Sequence, residues 1–176
     1  MANTAIEAGA TWLGVALLEE AIKLRTHGLS APIIAWLTPL HENFEEAINL
    51  NIDLSVPSLA HLRAICAAGE KLKTCPRVHI ELDTGMTRGG LLLEWNEFLN
   101  EIKDAPVEVV GLWTHFARAD EPESDFTETQ LAEFMKRLDE LIKVGINPKY
   151  IHTANSAAIQ SRNAAHKNMV RLGISM

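Results

Sequence analysis

Arg77-Val-His-Ile-Glu-Leu-Asp83 alternates two chemistries at every residue. Val78, Ile80 and Leu82 fall on one face of an extended chain and Arg77, His79, Glu81 and Asp83 on the other, because strand side chains alternate with period two. An open, doubly wound parallel sheet buries both faces of its strands under helices and disfavours four polar residues on one of them. A (β/α) barrel turns that face inward, where a polar network and a ligand at the strand ends can use it. The segment therefore favours a barrel.

Outward from it, short apolar runs alternate with longer amphipathic ones in both directions, the pattern of an α/β chain. Strands are expected at residues 12–17, 32–37, 52–56, 77–83, 107–116, 150–155 and 169–174, each rich in β-branched or aromatic residues. Helices are expected at 2–8, at 19–25 before Gly28, at 59–68 between Ser58 and Gly69, and at 128–143 between Thr127 and Gly145. Strand-to-strand spacings of about 20 to 40 residues force parallel pairing. A complete barrel takes about 250 residues. This chain has 176, and its first helix has no strand before it. The expected fold class is α/β, an incomplete (β/α)8 TIM-type barrel that lacks its first strand.

Composition bounds what such a fold does. With 47% hydrophobic and 22% charged residues, the chain holds one sizeable core, and a single domain over residues 1–176 is expected. Sixteen Lys and Arg against 23 Asp and Glu give a net charge of −7, which repels polyanions and leaves no electrostatic case for nucleic acid. Cys66 and Cys75 have no histidines at zinc-ligand spacing, which points to reduced thiols and no metal site. No apolar run nears the roughly 20 residues of a membrane span. The N-terminus lacks the basic and apolar regions of a signal peptide, so a cytoplasmic protein without membrane partners is expected.

Barrels gather function in the loops after their strands, and reactive side chains stand at those points. Residues 79–90 run from the polar strand face into a glycine-bearing loop that holds Arg88. Thr114-His115-Phe-Ala-Arg-Ala-Asp120 puts an imidazole near the mouth. Asn155-Ser156-Ala-Ala opens a helix, where free N–H groups and a hydroxyl suit a phosphate. Val170-Arg171-Leu-Gly173-Ile174 sets Arg171 and Gly173 on one face, the glycine admitting a ligand close to the main chain. Each has a plainer alternative: His115 as a hydrogen-bonded core histidine, Ser156 as a helix cap, Arg171 as half of an ion pair, Asp83-Thr-Gly as a turn. Ser58 reads as an ordinary cap. Joint placement at successive strand ends is what argues for one site.

In their order and spacing, His79 to Arg88, Thr114 to Glu121, Ala154-Asn-Ser-Ala-Ala158 and Val170-Arg-Leu-Gly-Ile174 resemble the strand-end motifs of bacterial alanine racemases. Leu13-Gly-Val-Ala and Glu19-Glu-Ala-Ile-Lys-Leu-Arg fit as well, so the resemblance covers essentially the whole chain. It implies an N-terminal barrel carrying pyridoxal 5′-phosphate, a C-terminal β domain, a homodimer with sites completed across the interface, and interconversion of L- and D-alanine for peptidoglycan. It also implies that Ser156 and the main chain of Gly173 and Ile174 hold the cofactor phosphate. Arg171 would face the pyridine nitrogen, His115 would orient Arg171, and Arg88 would lie near the ring oxygen and the substrate carboxylate. A guanidinium keeps its proton, so it donates to the pyridine nitrogen without protonating it. That limits the ring as an electron sink and suppresses side reactions of the carbanion.

Some family features have no counterpart. The family's Schiff-base lysine stands on the first barrel strand in a Lys-x-x-x-Tyr-Gly-His-Gly-like stretch. Here Lys23, Lys103, Lys136 and Lys143 fall in helical segments, Lys71 and Lys73 in a helix-to-strand connection, and Lys149 and Lys167 before strands. The second proton carrier, a tyrosine of the partner's C-terminal domain, has no equivalent, because Tyr150 begins a strand. The chain is thus expected to be an internal piece of a racemase with no catalytic group of its own, weak or absent cofactor binding and no turnover alone. Open strand edges, which only barrel closure removes, make self-association expected. Glu81 stands where many members carry a lysine, often carbamylated, and is expected to supply a negative charge for Arg88. Leu172 replaces the proline common before Gly173 and frees one N–H. Two rivals remain: a single-barrel pyridoxal-phosphate carrier, whose motifs differ from Asp83-Thr-Gly-Met and Thr114-His-Phe-Ala, and a non-catalytic structural remnant without cofactor.

Overall fold

The computed structural model describes residues 1–173. Six strands alternate with helices: β1 (Leu13–Leu17), β2 (Ile33–Leu37), β3 (Asp53–Val56), β4 (Arg77–Leu82), β5 (Glu108–Thr114) and β6 (Tyr150–His152). The helices are α1 (Ala2–Glu7), α2 (Leu18–Thr26), α3 (Phe44–Asn49), α4 (Leu59–Leu72), α5 (Trp95–Ile102), α6 (Phe126–Lys143) and α7 (Ser156–Ser161), followed by a 3₁₀ turn at Asn163–Ala165. Strand order in the sheet follows chain order. β1 with β2, β2 with β3 and β5 with β6 pair in parallel. Each strand reaches the next through a helix, the βα repeat of a TIM-type barrel. The fold is an incomplete (β/α) barrel, as the alternation at 77–83 predicts.

The chain forms two compact units. The first comprises Met1–Val56, Ala60–Val78 and Pro106–Glu108. Its core includes Ile33, Ala35, Leu54, Val56, Leu62 and Ile65, all nearly inaccessible to solvent. Arg25 of α2 fastens the neighbouring turns by donating to the carbonyls of Leu50, Leu29, Ala31 and Asn51 at 2.7–2.9 Å. At the start of β4, Arg77 grips Asp53 through Nε at 2.9 Å and Nη2 at 3.1 Å, and reaches Glu108 at 3.3 Å.

The second unit comprises Pro57–Leu59, His79–Ala105 and the described chain from Val109. In α5, Trp95, Phe98 and Ile102 are buried at helical spacing, each worth about 2 kcal/mol in apolar burial. The Trp95 indole N–H donates to Glu140 of α6 at 2.6 Å. Small residues Ala154, Ala158 and Ala165 pack with Phe116 and Ala119, seating α7 close to the strand ends.

Three differences from the sequence reading have physical causes. Helix α4 runs past Gly69 to Leu72. That glycine serves close packing, since a Cβ there would fall 2.6 Å from Pro76, and Lys73, at φ 54°, ends the helix instead. The N–H of Leu59 at the start of α4 is taken by the Glu94 carboxylate at 3.1 Å. Helices α3 and α5 were not expected, the first because it is a single short segment, the second because Leu91-Leu-Leu93 masks the helical spacing that follows. The strand expected at 169–174 is not a strand over its described residues. Arg171 N–H does reach Ala154 O at 3.0 Å. A ladder needs repeated bonds, however, and the next candidate, Gly173 N–H, turns instead to the Ser156 hydroxyl.

Candidate functional site

The polar face of β4 supplies the base of the site. His79 is fully buried and Glu81 is 6% exposed. His79 Nδ1 lies 2.9 Å from His152 Nε2 at the end of β6, so one ring donates and the other accepts. The two rings meet edge-on at 5.1 Å, and Trp113 of β5 lies nearly parallel to His152 at 6.3 Å. The pair fits because β5 carries Gly111 in its interior: a Cβ there would stand 2.1 Å from His79 Nδ1. Burial, with the nearby positive charge of Arg171, holds the His152 imidazole well below its ordinary range and keeps it neutral.

After β4 the chain folds into a closed loop. Asp83 Oδ1 accepts from the N–H of Gly85 at 2.9 Å and of Thr87 at 3.0 Å. Leu91 then bonds back to both Glu81 and Asp83, its N–H donating at 2.8 Å and its carbonyl accepting at 3.1 Å. Gly85 and Gly90 have φ of +133° and +111°, and a Cβ at Gly90 would meet Asp83 N at 2.5 Å. Only glycine suits both places. The turn reading of Asp83-Thr-Gly is therefore correct, and its product is an exposed Arg88 carried on an ordered loop.

Arg171 sits at the junction. Its Nη1 donates to the His152 carbonyl and its Nη2 to the carbonyls of Thr114 at 2.6 Å and Thr153 at 3.3 Å. The guanidinium lies 5.1 Å above the Trp113 ring, a favourable cation–π placement. Burial draws it down to about 9, opposed by the Glu81 carboxylate, so it stays cationic at neutral pH. His115, half-buried at the end of β5, is pressed down to about 4 by burial and then by the charges of Arg171 and Arg88. No hydrogen bond from its ring reaches Arg171 among the described residues. Main-chain carbonyls of His152, Thr114 and Thr153 hold the Arg171 guanidinium. The charge of Glu81 acts on Arg171, raising its hold on the proton against burial.

The helix-cap alternative for Ser156 falls to its neighbour: Asn155 Oδ1 accepts from Ala158 N–H at 3.0 Å. Ser156 Oγ accepts instead from Gly173 N–H at 3.0 Å. Hydroxyl and glycine main chain thus meet at one point, with Arg171 two residues from Gly173. Ile174 lies outside the described residues. Every lysine is exposed. Among the described residues no cluster of potential metal ligands occurs, and no helix is long and apolar enough to cross a membrane.

Sequence reasoning missed the His79–His152 pair and the carboxamide of Gln130, which bonds to both loops. A signal for the first was present: a glycine amid Val109-Val-Gly-Leu-Trp113 marks a close approach in a strand interior.

Comparison with known proteins gives a consistent result. The family model described as alanine racemase, N-terminal domain, matches residues 1–176. The chain is 42% identical over 184 residues to the alanine racemase of Salinispora tropica, covering 99% of this chain and 48% of that protein. It is 38% identical to that of Thermobifida fusca, covering 98% and 48%. The crystal structure of the alanine racemase from D-cycloserine-producing Streptomyces lavendulae superposes with a TM-score of 0.96 at 36% identity, over 98% of this chain and 47% of that one. The chain spans about half the length of the curated relatives it matches.

Proposed function

The chain belongs to the alanine racemase N-terminal domain family, and on that premise we propose that it carries the cofactor-binding part of a pyridoxal 5′-phosphate enzyme that interconverts L- and D-alanine. The observation that carries the proposal is the meeting of Ser156 Oγ and Gly173 N–H at 3.0 Å beside a guanidinium fixed by main-chain carbonyls. The donor set fits the group. A phosphate monoester needs a hydroxyl and main-chain N–H groups at one place. A pyridine nitrogen needs a donor that does not swing, and Arg171 is pinned from three sides.

Ser156 and Gly173 hold the phosphate in this reading, Arg171 donates to the ring nitrogen, and Arg88 takes the carboxylate of alanine. Bound cofactor supplies the electron-withdrawing ring that loosens the amino acid's α-proton. Arg171 tempers that withdrawal because its guanidinium donates without surrendering a proton. His115 stays neutral, which avoids a third cation beside Arg171 and Arg88. In this reading no described lysine anchors the cofactor covalently, and the chain by itself binds without turning alanine over.

Titration with pyridoxal 5′-phosphate tests this. Saturable binding is expected without the absorption band of a lysine-linked cofactor. Ser156→Ala should weaken it about tenfold, the worth of one charge-assisted hydrogen bond, while pyridoxal lacking the phosphate binds both chains equally. A lysine-linked band, or affinity indifferent to Ser156→Ala and Arg171→Ala alike, contradicts the reading.

Self-association belongs to the same proposal. Among the described residues β2 is the one neighbour of β1 in the strand order, and Leu17 at its end is 45% exposed. A strand edge of this kind presents unpaired N–H and C=O groups to another chain. In sedimentation velocity the mean mass should rise with concentration; a monomer at every concentration removes this part.

A further inference from the structure

We propose that Gln130 is a positioning residue whose carboxamide ties the loop bearing Arg88 to the segment bearing His115, and so fixes where both side chains meet the ligand. The identity of that ligand rests on the reading above; the tie itself rests on geometry.

Gln130 is fully buried in the first turns of α6. Its Nε2 donates to Thr84 Oγ1 at 3.1 Å and to the His115 carbonyl at 3.2 Å, while its Oε1 accepts from Ala117 N–H at 2.9 Å. An inverted carboxamide would set two donors against each other at Ala117, so the orientation is fixed. Thr114 Oγ1 donates to the Leu82 carbonyl at 2.8 Å. Its hydrogen is thereby committed, and Thr84, 2.8 Å away, must donate to Thr114 while accepting from Gln130. Gln130, Thr84, Thr114 and Leu82 form a one-way donor chain across the ends of β4 and β5.

Packing reinforces the tie. A Cβ at Gly85, next to Thr84, would lie 2.9 Å from Phe126 Cζ and 3.7 Å from Gln130 Cγ. The first turns of α6 therefore rest directly on the turn that begins the Arg88 loop. Asparagine at 130 falls a methylene short of bonding both segments. Leucine there would strand the Ala117 N–H and the His115 carbonyl, an arrangement that buried polar groups avoid. Burial first, and then the charges of Arg171 and Arg88, hold His115 low, so loosening the tied segments, which lets water in and moves Arg88 away, raises its titration.

Histidine NMR titration of the full chain reads that spacing. In the parent chain burial and the charges of Arg171 and Arg88 push His115 down to about 4. In Gln130→Leu, and separately in Thr84→Val, which leaves α6 untouched, the value should climb toward the ordinary 6.5, and the double variant should climb no further than either one, since both cut one chain of bonds. Pyridoxal 5′-phosphate affinity should fall about tenfold in each. A folded variant with His115 unmoved overturns the proposal, even if its melting temperature drops. Should Gln130→Leu not fold, Thr84→Val and Gln130→Asn decide by the same criterion. A parent chain that fails to bind pyridoxal 5′-phosphate, with the His115 shifts present in the variants, removes the ligand reading and leaves the tie standing.

Discussion

Gly111→Ala is expected to destabilise the chain by about 3–5 kcal/mol, the sum of an overpacked core and a broken buried hydrogen bond. The new methyl would stand 2.1 Å from His79 Nδ1, 2.7 Å from Cε1 and 2.9 Å from Cγ. No rotation of a flexible tip relieves this, because the ring is fully buried and Nδ1 is the atom bonded to His152 at 2.9 Å. Either the imidazole leaves its partner or β5 moves, and β5 also carries the Thr114 carbonyl that holds Arg171. Urea unfolding measures the cost. Adding His79→Ser, which makes room for the methyl, should recover part of it, the non-additivity expected of residues in contact. A Gly111→Ala chain as stable as the parent would mean that the strand interior is looser than its geometry.

Acid is expected to unfold the chain from near pH 6.5 downward, earlier than its carboxylates require. An unfolded histidine titrates near 6.5. In the fold His152 is held well below that value and His115 at about 4, in both cases chiefly by burial. Above pH 6.5 neither state binds the proton, and the full stability is present. Below it the unfolded chain takes protons that the folded chain refuses, and stability falls until the folded value is reached. That slope is at most about 1.4 kcal/mol per pH unit for His152; for His115 it is smaller, since solvent reaches part of the ring. Urea midpoints measured from pH 7.5 to 4.5 should fall steadily, and His152→Gln, which can still bond His79, should flatten the decline. Midpoints level between pH 7 and 5 would refute the assignment.

How far the molecule could be read from its residues depends on the range of the interactions involved. The alternation over Arg77 to Asp83 is local, and it led to the barrel. His115, Ser156 and Arg171 were also legible, because each stands where an apolar run ends and barrel chemistry begins. Val170-Arg-Leu-Gly-Ile174 alternates as well as any strand, yet no ladder forms over its described part, since hydrogen bonding to Ser156 competes for Gly173. The His79–His152 pair and the partners of Gln130 depend on residues far apart in the chain, and a glutamine early in an amphipathic helix gives no local sign that it faces inward. The action of Glu81 on Arg171 was hidden for the same reason: the two stand far apart in the chain, and only the fold brings the carboxylate's charge to bear on that guanidinium.

Strand β4 divides its labour lengthwise. Arg77 at its beginning belongs to a clasp with Asp53 and Glu108, whereas His79 and Glu81 further along are buried, His79 against His152. The ion-pair clasp and the histidine pair therefore draw on separate hydrogen-bond sets of one strand, so a substitution in either set removes bonds the other does not use.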